Sequence, residues 1–280
     1  MSLIAQDVSA GADTASFSAW QPVPDRINPN GPAPRSGKRE GLSSPTAFGL
    51  VADDEALVPA AQAAAIVLGA SPGDDRLVGT DGADQISLLA GNDTFSGGPG
   101  NDTIFGNEGD DLLSGNQDDD LIFGNQGADT LYGGQGRDTL YGGQDPDLLL
   151  GNLGDDVLFG NRGRDTIYGG RGNDTLYGGQ AEDVLFGDDG DDTLFGDCCD
   201  DILVGGAGAD RFVFGVDQGA DRILDFSAAE GDRIDLRGQT YTVDAALDGS
   251  GSALLLLSGG GSVQIVGIAR NQVDGSFFTP

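Results

Sequence analysis

The 280-residue chain has no histidine, a single lysine (Lys38), one tryptophan, one methionine and two cysteines. Without imidazole there can be no His-liganded zinc, no Ser-His-Asp triad and no Cys-His pair. The two cysteines, Cys198 and Cys199, are adjacent. Neighbouring Cα atoms lie about 3.8 Å apart, short of the usual disulfide range of roughly 4.4–6.8 Å, so no disulfide is expected between them. Such sparse cysteine suits a cytosolic chain, or an exported one stabilised by something other than disulfides. The start, MSLIAQDVSA, has neither a basic region nor a long apolar run, so no cleavable signal peptide is expected. The longest apolar-leaning stretch, AAQAAAIVLGA at 60–70, is far short of the roughly 20 residues of a membrane span, so no transmembrane segment is expected. Basic residues are also scarce: 14 against 46 acids, for a net charge of -32. Nucleic acid and anionic membrane are therefore poor partners, and cations are good ones.

What the chain does have is glycine, 49 residues of it, with 38% hydrophobic residues. That composition disfavours a thick conventional core and favours stacked repeats. The chain divides into three segments. Residues 1–70 hold seven of the eleven prolines and read as a disordered, linker-like N-terminal segment, whose end, AAAIVLGA, is placed to cover the first rung of a repeat stack. Arg35, Lys38 and Arg39 form the one basic cluster, read as part of a solvated linker. Residues 71–213 are periodic. Residues 214–280 lose the period but stay strand-like, with SALLLLS and SVQIVGI joined by a glycine turn as a hairpin; this is read as a C-terminal β cap.

The period is nine. Counting each unit from its leading glycine pair, the sixth position is aspartate in all sixteen units, from Asp75 and Asp84 to Asp201 and Asp210. The eighth is Leu, Ile or Phe in all sixteen, from Leu77 to Phe212. The fourth is glycine except at Asp118, Asp145, Ala181 and Cys199. A three-residue strand at positions 7–9 turns the eighth residue inward and its neighbours outward. A six-residue glycine-rich turn reverses the chain, glycine serving where φ is positive or backbones crowd. Two units then make one coil, and aspartates eighteen apart form a column on each edge. One edge carries Asp75, Asp93, Asp111, Asp129, Asp147, Asp165, Asp183 and Asp201; the other carries Asp84, Asp102, Asp120, Asp138, Asp156, Asp174, Asp192 and Asp210.

At a coil spacing of about 4.8 Å, neighbouring like charges repel by about 1 kcal/mol in water and roughly 3 at an effective dielectric near 20. Residues 71–213 carry 30 acids against six arginines. The summed repulsion rivals the whole stability of a domain, about 5–15 kcal/mol, so the stack requires counter-cations. A gap lined by carboxylates and turn carbonyls suits Ca²⁺, with its many oxygen ligands and flexible geometry, better than Mg²⁺. Metal-free solvated turns are the alternative, but turns accept Asn, Ser and Asp almost interchangeably, and the sixth position admits no substitute.

GGQGRDTLY at 133–141 and GGRGNDTLY at 169–177 resemble the GGxGxDxUx repeat of RTX (repeats-in-toxin) proteins, the hemolysin-type calcium-binding nonapeptide. The stretch GADRFVFGVDQGADRILDFSAAEGDRIDL at 208–236 is similar to the segment C-terminal to the repeats in such proteins. The resemblance implies an all-β fold, a right-handed parallel β-roll, with calcium between turns one coil apart. One turn would give the carbonyls of its second and fourth positions and its aspartate, and the next its first and third carbonyls and its own aspartate. Carried over, one site would use Gly134, Gly136 and Asp138 with Gly151, Leu153 and Asp156. The next two would use Asn152, Gly154 and Asp156 with Gly169, Arg171 and Asp174, then Gly170, Gly172 and Asp174 with Gly187, Asp189 and Asp192. Eight aspartates per edge leave seven gaps, hence at most fourteen ions. The edge bearing Asp165 is expected to be the poorer one, because Leu88 and Leu89 replace a glycine pair and Asp145, Ala181 and Cys199 replace fourth-position glycines. Weaker sites are expected there around Asp147, Asp183 and Asp201.

The resemblance also implies export by type I secretion machinery without an N-terminal signal, directed by an uncleaved C-terminal region. The tail VDGSFFTP is similar to such ends. An acidic chain of this kind would stay unfolded at low cytosolic calcium and fold at the millimolar level outside, near the roughly 10⁻⁴–10⁻³ M constants of extracellular modules. An enzyme is not expected: HExxH and a Ser-His-Asp triad are impossible without histidine, and residues 1–70 are too few and too linker-like for a catalytic core. The reading is a secreted, non-catalytic calcium-binding protein of surface attachment or extracellular matrix. The alternative is the folding and secretion module of an exoenzyme or toxin whose effector part is absent or on another chain. Phe105, Phe123, Tyr141, Phe159, Tyr177 and Phe195 recur at the ninth position of consecutive coils. They read either as a platform for a glycan or protein ligand or, preferably, as aromatics stacking along a sheet.

Overall fold

The computed structural model describes residues 70–279. The linker reading of 1–70 and, apart from Ala70, the AAAIVLGA cap lie outside these residues. The periodic region forms a parallel β-roll. Its strands begin with the short β1 (Arg76–Val78) and β2 (Gln85–Ser87) and continue as six-residue strands from β3 (Thr94–Pro99) to β15 (Ile202–Ala207). Odd-numbered strands stack into one sheet and even-numbered strands into the other, because each turn sends the chain to the opposite wall.

The register is eighteen residues throughout. In β10 (Val157–Arg162), Val157, Leu158 and Phe159 pair with Thr139, Leu140 and Tyr141 on one side and with Thr175, Leu176 and Tyr177 on the other. The eighth position therefore makes an unbroken interior column: Leu140, Leu158, Leu176 and Leu194 on one wall face Leu149, Ile167, Leu185 and Leu203 on the other, all fully buried. A slip of one residue would turn this whole column outward, so the apolar pattern locks the register.

The strands are longer than the sequence implies. They cover positions 7–9 and then the first three positions of the next unit, so half of the expected turn is paired strand. In β10, Asn161 and Arg162 pair with Gly179 and Gln180, and only Gly160 between them is skipped. Apolar alternation could not reveal this half, because its second inward-facing residue is glycine and carries no side chain to mark it. The interior thus has two positions per strand, one filled by Leu, Ile or Phe and one left empty of side chain.

Parallel stacking continues past the end of the nine-residue period. After β16 (Arg211–Val213), β17 (Ala220–Ile223) adds to β15, and β18 (Arg233–Asp235) adds to β16. The expected hairpin forms from β20 (Ser252–Leu257) and β21 (Ser262–Ala269), with β19 (Tyr241–Ala245) alongside β20. β21 lies parallel to β17, so this meander extends one sheet to twelve strands, while the other ends at β18 with nine. Over β18 comes the tail: Phe278 bridges to Ile234, and the buried Phe277 packs on Phe226. Leu236, Leu255, Val263 and Ile265 carry the core into this cap.

The ninth-position aromatics form a continuous stack from Phe105 to Phe195. Their centroids are 4.5–4.9 Å apart and their planes within 11° of parallel. Rings this close and this nearly parallel stack on their neighbours along the column. The guanidinium of Arg237 sits over the last ring, 5.4 Å from the centroid of Phe195. The arrangement supplies stacking energy along the sheet. Replacing Tyr141 and Tyr177 together by alanine removes four ring contacts, each worth roughly 0.5–1.5 kcal/mol. Urea unfolding is expected to show a loss of about 2–6 kcal/mol, with adhesion and self-association unchanged; lost adhesion at unchanged stability would reverse this conclusion.

Candidate metal centres along the two edges

The turns place every sixth-position aspartate from Asp84 to Asp210 inside the roll, at 1–4% exposure, whereas Asp189, a candidate through its carbonyl alone, is exposed. Within each column, the backbone N–H of one aspartate donates to Oδ1 of the aspartate eighteen residues later. On one edge Asp138 donates to Asp156, Asp156 to Asp174 and Asp174 to Asp192, each at 2.8 Å. On the other, Asp129 donates to Asp147, Asp147 to Asp165 and Asp165 to Asp183, again at 2.8 Å. The sixth position is thus doubly constrained, since its carboxylate must reach back one coil to satisfy a turn N–H and must also sit in the interior.

The second carboxylate oxygen is what remains. Oδ2 has no hydrogen-bond partner in fourteen aspartates, namely Asp93, Asp102, Asp111, Asp120, Asp129, Asp138, Asp147, Asp156, Asp165, Asp174, Asp183, Asp192, Asp201 and Asp210. A buried acceptor left unmade costs about 1–3 kcal/mol, and more when charged. Thirteen of these oxygens lie beside the first-position glycine of their own turn, Asp93 being the exception because Leu88 holds that position. A Cβ added to Gly151 would fall 2.4 Å from Oδ2 of Asp156 and 2.5 Å from the carbonyl oxygen of Gly169 in the next coil. One added to Gly169 would meet Asp174 Oδ2 at 2.4 Å and the Gly187 carbonyl at 2.7 Å. Carboxylate and carbonyl oxygens converge on a space that only glycine leaves free.

The other candidate carbonyls face the same gaps. Added Cβ atoms on Gly154, Gly172 and Gly190 would lie 1.5, 1.9 and 1.7 Å from the fourth-position carbonyls of Gly136, Gly154 and Gly172 one coil earlier. The second-position carbonyl of Asn152 faces Gly170 in the same way, at 2.3 Å, as that of Asn116 faces Gly134. Third-position carbonyls point back: Leu153 accepts from the N–H of Gly136 at 3.0 Å, Arg171 from Gly154 at 2.8 Å and Asp189 from Gly172 at 2.9 Å. The carbonyls assigned to each gap by resemblance are therefore brought together, with the third already holding one hydrogen bond. Among the described residues no three acidic, cysteine or histidine side chains close on one point. An ion here would be held largely by backbone oxygens, a donor set that fits a hard cation.

Burial without a cation makes these carboxyls weak acids. Loss of solvation, only partly offset by the N–H of the preceding aspartate and reinforced by neighbouring acids, raises Asp120, Asp147 and Asp183 from the ordinary 3.8 to about 8. The same causes raise Asp129, Asp156, Asp192, Asp201 and Asp210 to about 7. Asp102, Asp111, Asp138, Asp165 and Asp174 rise to about 6.

On the edge with four irregular units the backbone is unchanged. Asp145, Ala181 and Cys199 take the left-handed φ of the glycines they replace, at 72°, 88° and 92°, as does Leu89 at 78°; Asp118, on the opposite edge, does the same at 71°. The difference between the edges is strain, roughly 1–2 kcal/mol per such residue, together with Leu88, whose side chain fills the interior at a first position. Both thiols of the Cys198–Cys199 pair are free.

Two features escape the repeat pattern. Fifth-position Asp and Asn side chains make an outer ladder, Asp155 Oδ1 accepting from Asn173 N–H and Asn173 Oδ1 from Asp191 N–H, both at 2.8 Å. The first aspartate of each column is satisfied by the protein itself: Ser71 donates to Asp75, and Thr80 to Asp84, through both N–H and hydroxyl. The repeated pairing of Ser or Thr at position 2 with the first two aspartates was the available signal.

A family model described as RTX calcium-binding nonapeptide repeat (4 copies) matches residues 70–104, 89–122, 105–140, 114–149, 141–176, 150–185 and 177–212, together just over half of the 280 residues. No curated protein matches the chain. Among solved structures, it is similar to the extracellular lipase LipA from Serratia marcescens, at 18% identity and a TM-score of 0.27 over 76% of this chain and 40% of the lipase. It is also similar to the AlgE6R3 subunit of the Azotobacter vinelandii mannuronan C5-epimerase, at 21% identity and a TM-score of 0.21 over 77% and 82% of the two chains. The chain thus spans less than half the length of the lipase, and overlays this loose carry no argument about activity.

The site geometry sets a pH dependence and a steric requirement. Carboxyls whose folded values exceed the unfolded 3.8 bind protons on folding, so the ion-free roll is favoured in acid and loses that support as pH rises through about 6–8. In excess chelator, β-sheet circular dichroism is expected to grow between pH 8 and pH 5, and a signal independent of pH would contradict this linkage. Gly151→Ala is expected to raise the metal concentration needed for folding at least several-fold, read from the same signal, because its Cβ enters the space shared by Asp156 and Gly169.

Proposed function

The chain belongs to the RTX calcium-binding nonapeptide repeat family, and from that premise we propose that it is a secreted, non-catalytic protein that folds when extracellular Ca²⁺ enters the gaps between stacked turns. The observation that carries this reading is the run of fourteen buried carboxylate oxygens with no donor. Calcium would neutralise them, replace the missing hydrogen bonds with coordination, and tie each coil to the next. The residues proposed to hold it come from adjacent turns, such as Gly134, Gly136 and Asp138 with Gly151, Leu153 and Asp156. Sites flanking Asp147, Asp183 and Asp201 are proposed to be weaker, since left-handed non-glycine residues leave their turns less stable.

The proposed division of labour along the chain is a linker-like segment at 1–70, the calcium roll at 71–213 and a C-terminal cap at 214–280 that also carries the export signal. In the folded protein the tail is engaged, with Phe277 buried and the N–H of Thr279 donating to Ile234 O at 3.0 Å. Export machinery would therefore read it on the unfolded chain, before calcium is met. Among the described residues no helix is long and apolar enough to cross a membrane. The proposed setting is surface attachment or extracellular matrix, where the acidic repeat region serves as a scaffold, with a glycan or protein ligand as its proposed partner.

The test is a calcium titration monitored by far-UV circular dichroism at pH 8. A disordered signal in chelator should convert cooperatively to β-sheet in the range of about 0.1–1 mM calcium. A full β signal in excess chelator at that pH would refute calcium-driven folding.

A further inference from the structure

The family match ends at residue 212 and the nine-residue period at 213, yet the aspartate columns do not end there. Asp221, at 3% exposure, lies twenty residues after Asp201 and accepts the Asp201 N–H on Oδ1 at 3.0 Å, the bond that joins every earlier pair. The N–H of Arg222 donates to Asp201 O at 2.8 Å, as Thr193 does to Asp174 O at 2.9 Å within the repeats. The fourth-position carbonyl of Cys199 faces Gly219 as closely as that of Asp118 faces Gly136, with added Cβ atoms at 2.2 and 2.1 Å. Gly219 keeps the left-handed φ of a fourth-position glycine, at 83°. A turn of different length and sequence therefore reproduces the fourth- and sixth-position contacts of the repeat turn where it meets the last coil, without the pairing of the second and third positions that joins earlier coils.

The ends of the columns differ in how their oxygens are met. At the start, Ser71 and Thr80 supply donors to Asp75 and Asp84. At the end of one column, Asp232 has both oxygens occupied, by the N–H groups of Asp210 and Ser227, and Arg233 donates to the adjacent carbonyls of Gly231 and Asp232. At the end of the other column the last carboxylate is met on one oxygen only among the described residues, while the Oδ2 before it is unpartnered in both columns, at Asp210 as at Asp201. Oδ2 of Asp201 is unpartnered in a residue only 1% exposed and, as in the repeats that begin with glycine, lies beside the first residue of its turn, 2.3 Å from a Cβ built on Gly196. Asp221 is engaged through Oδ1 alone among the described residues, and its Oδ2 is not one of the enclosed, unpartnered oxygens.

We propose that the junction between Asp201 and Asp221 is a further calcium site, outside the nonapeptide repeats, at which the ion fastens the C-terminal cap to the roll. The proposal rests on the reading that calcium fills the repeat gaps, and extends it to a turn that no repeat pattern marks. Its consequence is mechanical. Asp221 lies in β17, which pairs with β15 on one side and with β21, the inner strand of the terminal meander, on the other. An ion at this point ties the last repeat coil to the strand on which the meander is built, so cap docking becomes calcium-dependent in its own right.

Crystals of the full chain grown with Tb³⁺ in place of Ca²⁺ provide the direct test through anomalous difference maps. A peak between Asp201 and Asp221, in addition to peaks in the repeat gaps, is expected. Peaks in the gaps with none at the junction would overturn this inference alone, whereas no peak anywhere would overturn the calcium reading beneath it. Asp221→Asn provides the solution test, since the amide oxygen can still accept the Asp201 N–H while the charge is lost. The calcium concentration at which residues 214–280 become protease-resistant is expected to rise at least threefold, with the circular dichroism midpoint of the repeats unchanged. Equal midpoints for cap protection in the variant and the parent chain would count against the site.

Discussion

The whole structure depends on a carboxylate oxygen placed where the protein offers it no donor. In most folds a buried polar atom is met by a neighbouring group. Here the same atom is left unmet fourteen times over, in two columns whose members stand one coil apart. Protein donors cannot be the remedy within the stack, because each turn N–H at this level is already given to Oδ1 of the next aspartate. Only something that enters from solution, a proton or a metal ion, can complete the arrangement, and a divalent ion alone does so at neutral pH without removing the charge that draws it in.

Glycine usage reflects that constraint. The first-position glycine is inward-facing, and its missing Cβ is the room into which Oδ2 and a carbonyl of the next coil project. The fourth-position glycine answers a different demand, a left-handed backbone, and that demand is softer: Asp118, Asp145, Ala181 and Cys199 meet it with strain. This contrast explains why the fourth position varies while the sixth does not. Backbone strain of about 1–2 kcal/mol is tolerable in a stack of many coils, whereas loss of a column carboxylate breaks both a turn hydrogen bond and a cation gap.

A stack of identical coils also has to end. The roll begins with two aspartates whose oxygens are served by Ser71 and Thr80, so its first rungs make no demand on solution. It ends in a meander on one sheet and in the tail residues Phe277 and Phe278 on the other, which cover strands that would otherwise present open edges. The exposed ion pairs between coils, Arg137 with Asp119 and Arg164 with Glu182, add little by comparison. Stability resides in the buried leucine columns and in the edges.

Much of this was legible in the residues themselves. A period of nine with an invariant Asp and an invariant apolar residue determined the coil, the eighteen-residue register, the interior leucine column and the two acidic edges, since each comes from side-chain alternation and like-charge repulsion alone. The hairpin of SALLLLS with SVQIVGI was equally readable from its glycine turn. Other features leave no mark in a periodic pattern. The strand extends over three further residues because backbone pairing does not need a side chain to announce it. The orphaned oxygen is a matter of carboxylate rotation, which depends on the N–H one coil away. Asp221 and Asp232 join the columns at spacings of twenty and twenty-two, visible only once the intervening residues are seen to loop out. Sequence alone determined which residues repeat and which must face inward, because those are periodicities of the chain. The tertiary structure decided where the columns begin and end and which oxygens lack a partner, because those depend on contacts between coils that no single repeat contains.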